Sequence, residues 1–267
     1  MFQQAIDFRD ESKALFGLMR PLPAEAFGAP TQFKQWTFDD VIGHLHLWNH
    51  AADLSLTDEG AFQAFIGRVI GYVARGALRE FEREWLGGLR GAELLEQWHG
   101  FVGEMSERFG AADPQARVKW AGPDMSVRSS ITARLMETWA HGLAIYDALG
   151  LERVDTDRIR NIAVLGVNTF GWTFRNRRLD VPPAMPHVRL TAPSGAIWEW
   201  GEDSDEERIE GAASDFCQVV TQTRNVADTR LRVVGATATQ WMSIAQCFAG
   251  PPETPPAPGT RFVRRPR

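Results

Sequence analysis

The chain has 267 residues, 44% hydrophobic and 24% charged, proportions that exclude a disordered or fibrous protein and suit one large domain or two small ones. Its 29 Lys and Arg against 34 Asp and Glu leave a net charge of −5, without the basic excess that nucleic acid or anionic membranes call for, so neither partner is expected. Cys217 and Cys247 are too few for a disulfide scaffold and read as buried core thiols. No apolar run of about 18 residues and no basic-then-apolar N-terminus is found, so the expectation is a cytoplasmic protein without a membrane span or signal peptide.

Proline punctuates the chain, because it continues neither a helix nor a central strand. None occurs from Thr31 to Asp113, from Asp124 to Val181 or from Ser194 to Gly250. The first two stretches carry apolar residues at helical spacing, as in Leu78, Phe81, Trp85, Leu86 and Leu89. Helices are predicted over 2–19, 37–55, 60–87, 92–110, 127–149 and 156–177. Thr37 is placed to cap the second, with Asp39 and Asp40 at its positive end, and Gly150 before Leu151 reads as a left-handed C-terminal cap.

Past Pro182 and Pro183 the rhythm shortens to a β-hairpin, 187–191 and 197–200 across Pro193, Ser194 and Gly195. Strand-like runs at 208–210 and 230–234 each lead into a helix, 212–222 and 236–248. The predicted architecture is mostly α: a helical bundle over 1–180, a small α+β domain over 181–250, and a Pro-rich tail over 251–267 that is extended or disordered.

Two clusters could carry chemistry. On the second helix His44 falls at the edge of the stripe formed by Val41, Leu45, Trp48 and Ala52, while His46 and His50 fall opposite with Asp39 and Asp53 and read as a solvated face. On the 127–149 helix Glu137 and His141, four apart, share a face of small residues. A buried carboxylate beside a buried imidazole needs a cationic partner, and a divalent metal provides one. On spacing alone the alternative stands: Arg134 pairs with Glu137, His141 is a satisfied core histidine, and His44 bonds a carbonyl.

The run Gln35-Trp36-Thr37-Phe38-Asp39-Asp40-Val41-Ile42-Gly43-His44-Leu45 resembles the first metal segment of the DinB-like metal-binding superfamily, and Met136-Glu137-Thr138-Trp139-Ala140-His141-Gly142 resembles its second. The chain is most similar to the mycothiol-dependent maleylpyruvate isomerase family, in which an up-down four-helix metal-binding bundle precedes an α+β domain resembling sterol carrier proteins. The likeness extends through Val118-Lys119-Trp120-Ala121-Gly122-Pro123-Asp124, Asp215-Phe216-Cys217-Gln218 and Phe248-Ala249-Gly250-Pro251. It implies His44, Glu137 and His141 as ligands of a divalent metal, zinc being expected, and Arg224 and Trp120 as substrate-contacting residues. Relatives commonly carry an aspartate where this chain has Ala144, a departure that bears on which substrate is used.

The resemblance further implies a small thiol as cosubstrate and a small electrophilic, maleylpyruvate-like substrate that is isomerised or joined to sulfur. Three protein ligands leave a metal position at which a thiol loses its proton near neutrality. The same position could activate water in a hydrolase, or be closed by a side chain such as His46 in a noncatalytic binding protein.

Overall fold

The computed structural model describes residues 1–264, so the last three residues of the Pro-rich tail lie outside the described residues. The chain divides into two compact units, one over Met1–Ile145 and one beginning at Tyr146. Helices dominate: α1 (Gln3–Met19), α2 (Phe38–Thr57), α3 (Glu59–Val73), α4 (Leu78–Leu86), α5 (Gly91–Ala111) and α6 (Val127–Leu149) come first, with a two-residue ladder of β1 (Arg117–Val118) and β2 (Met125–Ser126) ahead of α6. Among the described residues no helix is long and apolar enough to cross a membrane.

In the first unit α2 is central, packed against α3, α4 and α5, while α1 packs on α5. Phe8, Leu45, Trp98, Phe109, Ile131 and Trp139 are fully buried there. Thr37 starts α2 through a capping box: its hydroxyl accepts from the Asp40 amide at 3.1 Å, and Asp40 Oδ2 accepts from the Thr37 amide at 3.0 Å. The helix expected over 60–87 is two helices. Gly76 adopts φ +73° at the reversal between α3 and α4, a backbone conformation with little cost only for glycine, and the chain folds back so that Phe65 and Tyr72 meet Phe81.

The second unit holds α7 (Arg160–Asn168), α8 (Phe170–Asn176), β3 (His187–Thr191), β4 (Ile197–Trp200), β5 (Arg208–Ala212), α9 (Ala213–Val220), β6 (Arg232–Val234) and α10 (Ala236–Ile244). The helix expected over 156–177 divides at Thr169, whose hydroxyl donates to the carbonyls of Leu165 and Gly166. The expected hairpin forms, with Val188 opposite Trp200, in a sheet of order β4-β3-β5-β6. β3 and β5 run parallel, setting Val188 beside Ile209, and Phe216, Val220 and Trp241 are buried on the helices around it. Residues 251–264 form neither helix nor strand and are pinned by side chains: Asn225 donates to the Pro256 carbonyl and Arg261 to that of Gln222.

Candidate metal centre

His44 lies on α2, about two turns past the capped start, so the box that fixes the helix also sets the direction of its imidazole. The preceding loop folds over it. Thr31 donates its amide to the Trp36 carbonyl at 2.8 Å, and Lys34 and Gln35 take φ of +49° and +58°, left-handed values that cost a non-glycine residue about 1 kcal/mol each. That turn delivers two aromatic rings to the site. Trp36 stacks on His141 at 5.4 Å and lies 5.0 Å from the His44 ring, and Phe33 meets His141 edge-on at 5.0 Å.

From α6, Glu137 and His141 reach the same place. The ring centroids of His44 and His141 are 4.8 Å apart, and His141 Nε2 lies 3.1 Å from Glu137 Oε2. One donor atom from each of His44, Glu137 and His141 falls within 4.8 Å of the others. Ligands sharing one tetrahedral zinc at bonds of about 2.1 Å stand about 3.4 Å apart, so two imidazoles and a carboxylate at this spacing fit a divalent ion with little movement. The three side chains are 11–20% exposed, enclosed yet reachable.

The protonation states suit this use. Burial raises the Glu137 carboxyl, but the hydrogen bond from His141 and the neighbouring His141, Arg134 and His44 outweigh it and hold the group at about 2. Burial pushes the His141 imidazole down, more than Glu137 lifts it, toward the neutral form that ligates metals. His141 Nδ1 is buried with no hydrogen-bond partner.

A residue absent from the sequence expectations completes the centre. Glu82, on α4 and 1% exposed, accepts from His44 Nδ1 at 2.7 Å, which leaves Nε2 as the nitrogen free to ligate. Arg79 pairs with both Glu82 and Asp40 and lies over the Trp36 ring at 4.5 Å. The signal was present: Glu82 sits four residues after Leu78 and three before Trp85, a carboxylate inside an apolar stripe.

The other expected residues divide. Trp120 lies 5.8 Å from Trp48, which in turn is 6.2 Å from His44, and Ser55 anchors this stretch by donating to the Lys119 carbonyl. Arg224 lies in the second unit and is neither solvated nor free: it is 8% exposed and donates to Asp147 Oδ1 at 2.5 Å and to the Thr223 carbonyl at 3.0 Å, partners that account for its burial without a substrate.

The solvated face expected for His46 and His50 is not observed. His46 is 5% exposed between Trp85 and Phe101, and His50 packs on the same two rings and Phe65, because α4 and α5 cover that side of α2. Asp53 is taken by Arg108 at 2.8 Å. His46 does not belong to the three-donor group, so it does not close a fourth position.

Comparison with known proteins agrees with this architecture. Residues 8–146 match the family model of the mycothiol maleylpyruvate isomerase N-terminal domain. Two uncharacterised proteins of Mycobacterium tuberculosis, one from strain CDC 1551 / Oshkosh and one from strain ATCC 25618 / H37Rv, are each 41% identical over 247 residues, covering 92% of this chain and 95% of theirs. Among solved structures the mycothiol-dependent maleylpyruvate isomerase is similar in fold, with a TM-score of 0.53 at 15% identity over 81% of this chain and 86% of that one. A mutant of that enzyme gives 0.52 at 16% over the same shares. The matched segment covers more than half of the sequence and includes His44, Glu82, Glu137 and His141, and the chain therefore belongs to the mycothiol maleylpyruvate isomerase N-terminal domain family.

Proposed function

We propose that the protein is a divalent-metal-dependent enzyme that uses a small thiol, mycothiol or a thiol of that type, to isomerise a small maleylpyruvate-like electrophile or join it to sulfur. The observation that carries this reading is the convergence of one donor each from His44, Glu137 and His141 within 4.8 Å. His44, Glu137 and His141 would hold a divalent cation, and the chemistry it would supply is acidification of a bound thiol, so that thiolate would be available near neutral pH.

The chain's own groups prepare the place. Glu82 holds the Nδ1 proton of His44 and so aims Nε2 into the site, and Arg79 balances the Glu82 charge. Trp36, Phe33 and Trp48 wall the two imidazoles and limit water, which strengthens every charge interaction inside. The protein's own sulfurs are unsuited to the nucleophile's role: Cys217 and Cys247 are buried, and burial raises the Cys217 thiol well above its ordinary value.

Metal analysis of the purified protein tests the reading. Wild-type protein is expected to retain one equivalent, His44→Ala and Glu137→Ala to lose it, and Glu82→Gln to bind about 10–100-fold more weakly. Unchanged metal stoichiometry in both ligand variants would remove the basis for the proposal. Turnover of the electrophile should require added thiol, whereas hydrolysis of model esters without thiol would assign the site to water activation instead.

A further inference from the structure

Arg134 is 5% exposed, and its Nε is buried without a hydrogen-bond partner. Glu137, one turn along α6, is felt only through its charge, and no ion pair closes between them. An unpaired buried guanidinium is costly, since each lost hydrogen bond to a charged group forfeits interactions that water had supplied. Among the described residues the other buried arginine, Arg224, is engaged with Asp147, and the partly buried Arg79 with Asp40 and Glu82.

Its position explains what it waits for. Arg134, Glu137 and His141 lie at i, i+3 and i+7 of one helix, hence on one face, with Arg134 about 4.5 Å along the axis from Glu137. A chain of ring contacts links Arg134 to the centre. The Arg134 guanidinium lies over Trp120 at 5.2 Å, Trp120 contacts Trp48, and Trp48 contacts His44. Arg134 and two of the three donors thus share one face of α6, and a run of aromatic contacts links the guanidinium, which closes no hydrogen bond, to the third donor, His44.

We infer that Arg134 is the group that binds a carboxylate of the electrophilic substrate, holding it beside the His44, Glu137 and His141 cluster. The guanidinium fork matches a carboxylate in bidentate fashion, and the Trp120 face fixes the plane of the fork before the ligand arrives. This gives a recognition role to Arg134, a residue that spacing alone makes only a neutralising neighbour of Glu137. The inference rests on the reading of the site as a small-molecule centre, and it makes Arg134 a specificity residue.

The test is calorimetric titration with maleate, a cis-dicarboxylate, and with its uncharged diamide, on metal-loaded and chelator-stripped protein. Wild-type protein should bind maleate in both forms and prefer it to the diamide. Arg134→Met should weaken maleate by about tenfold or more and leave the diamide unchanged, while Arg134→Lys, which keeps the charge and loses the fork, should fall between. Metal content of both variants should equal that of wild type. Maleate affinity within twofold of wild type in Arg134→Met, or an equal loss for maleate and diamide, would overturn the assignment. So would a change in metal affinity with maleate binding unaltered, since Arg134 would then serve Glu137. Should Arg134→Met not fold, Arg134→Lys decides alone: maleate binding equal to wild type overturns the inference. Arg134-dependent maleate binding by protein that takes up no metal would sink the metal reading and leave this one standing.

Discussion

Arg134 in the first unit and Arg224 in the second are hidden to nearly the same degree, 5% and 8% exposed, and are treated oppositely by their surroundings. Arg224 closes a 2.5 Å bond to Asp147, whose own carbonyl accepts from the Arg264 amide at 2.9 Å. Around it Gln222 donates to the Ala245 carbonyl and Gln246 to that of Pro251, so the polar groups around this ion pair are matched by neighbours, although elsewhere in the unit the Arg208 Nε is buried without one. The first unit instead leaves the Arg134 Nε, His141 Nδ1, His46 Nδ1 and the Asn49 amide buried without partners. Matched polar groups are what a scaffold requires. Of the unmatched ones, Arg134 Nε and His141 Nδ1 belong to the face of α6 that carries Glu137, the arrangement a ligand site would need.

The largest expected effect tests the matched side. Asp147→Ala leaves Arg224 buried with its ion pair gone, and breaking a buried pair by removing one partner costs about 3–5 kcal/mol. Urea unfolding should show that loss, and a loss under about 1 kcal/mol would erase the contrast between the units.

Acid should then strike the first unit. Burial, with a smaller contribution from the charge of His50, lowers His46 from 6.5 to about 4. The folded state therefore keeps this imidazole neutral, and above pH 6.5 it adds no pH dependence. As pH falls from 6.5 toward 4 the unfolded chain takes the proton first, and stability drops by about 3 kcal/mol by pH 4. Unfolding midpoints at pH 7.5 and 4 should separate by that amount in wild type and by visibly less in His46→Leu. An identical separation in the variant would place the acid sensitivity elsewhere.

The same contrast explains what the sequence made legible. His44, Glu137 and His141 could be selected because a titratable residue on or beside an apolar stripe is conspicuous, and Thr37 because capping is local chemistry. The periodicity failed where apolar spacing ran through a reversal, as at Gly76. With 60–87 read as one helix, α4 had no means of folding back and Glu82 could not be delivered to His44. His46 and His50 were misplaced because a helical wheel assumes one buried face, whereas α2 is covered on several sides and buries Leu47 and Ala51 as well as Val41 and Leu45. In the second unit the hairpin was local and visible, while the parallel pairing of β3 with β5 depends on long-range register that no turn residue announces. Spacing makes Arg134 a neutralising neighbour of Glu137, the ordinary outcome for an i, i+3 pair, but in the folded chain that bond is not made.

The smallest expected effect is the most discriminating. Arg134→Met and Arg224→Met are the same chemical change at the same depth, each replacing a guanidinium by an apolar chain of similar reach. At Arg224 the change strands the Asp147 carboxylate. At Arg134 it removes a costly buried charge that closes no hydrogen bond, so folding stability should not fall and should rise by about 1 kcal/mol. Scaffold residues are held in place by the energy they contribute to folding, whereas a residue kept for a ligand shows its value only when that ligand is bound. Equal losses for the two substitutions, measured by urea unfolding without ligand, would make Arg134 a structural residue like Arg224.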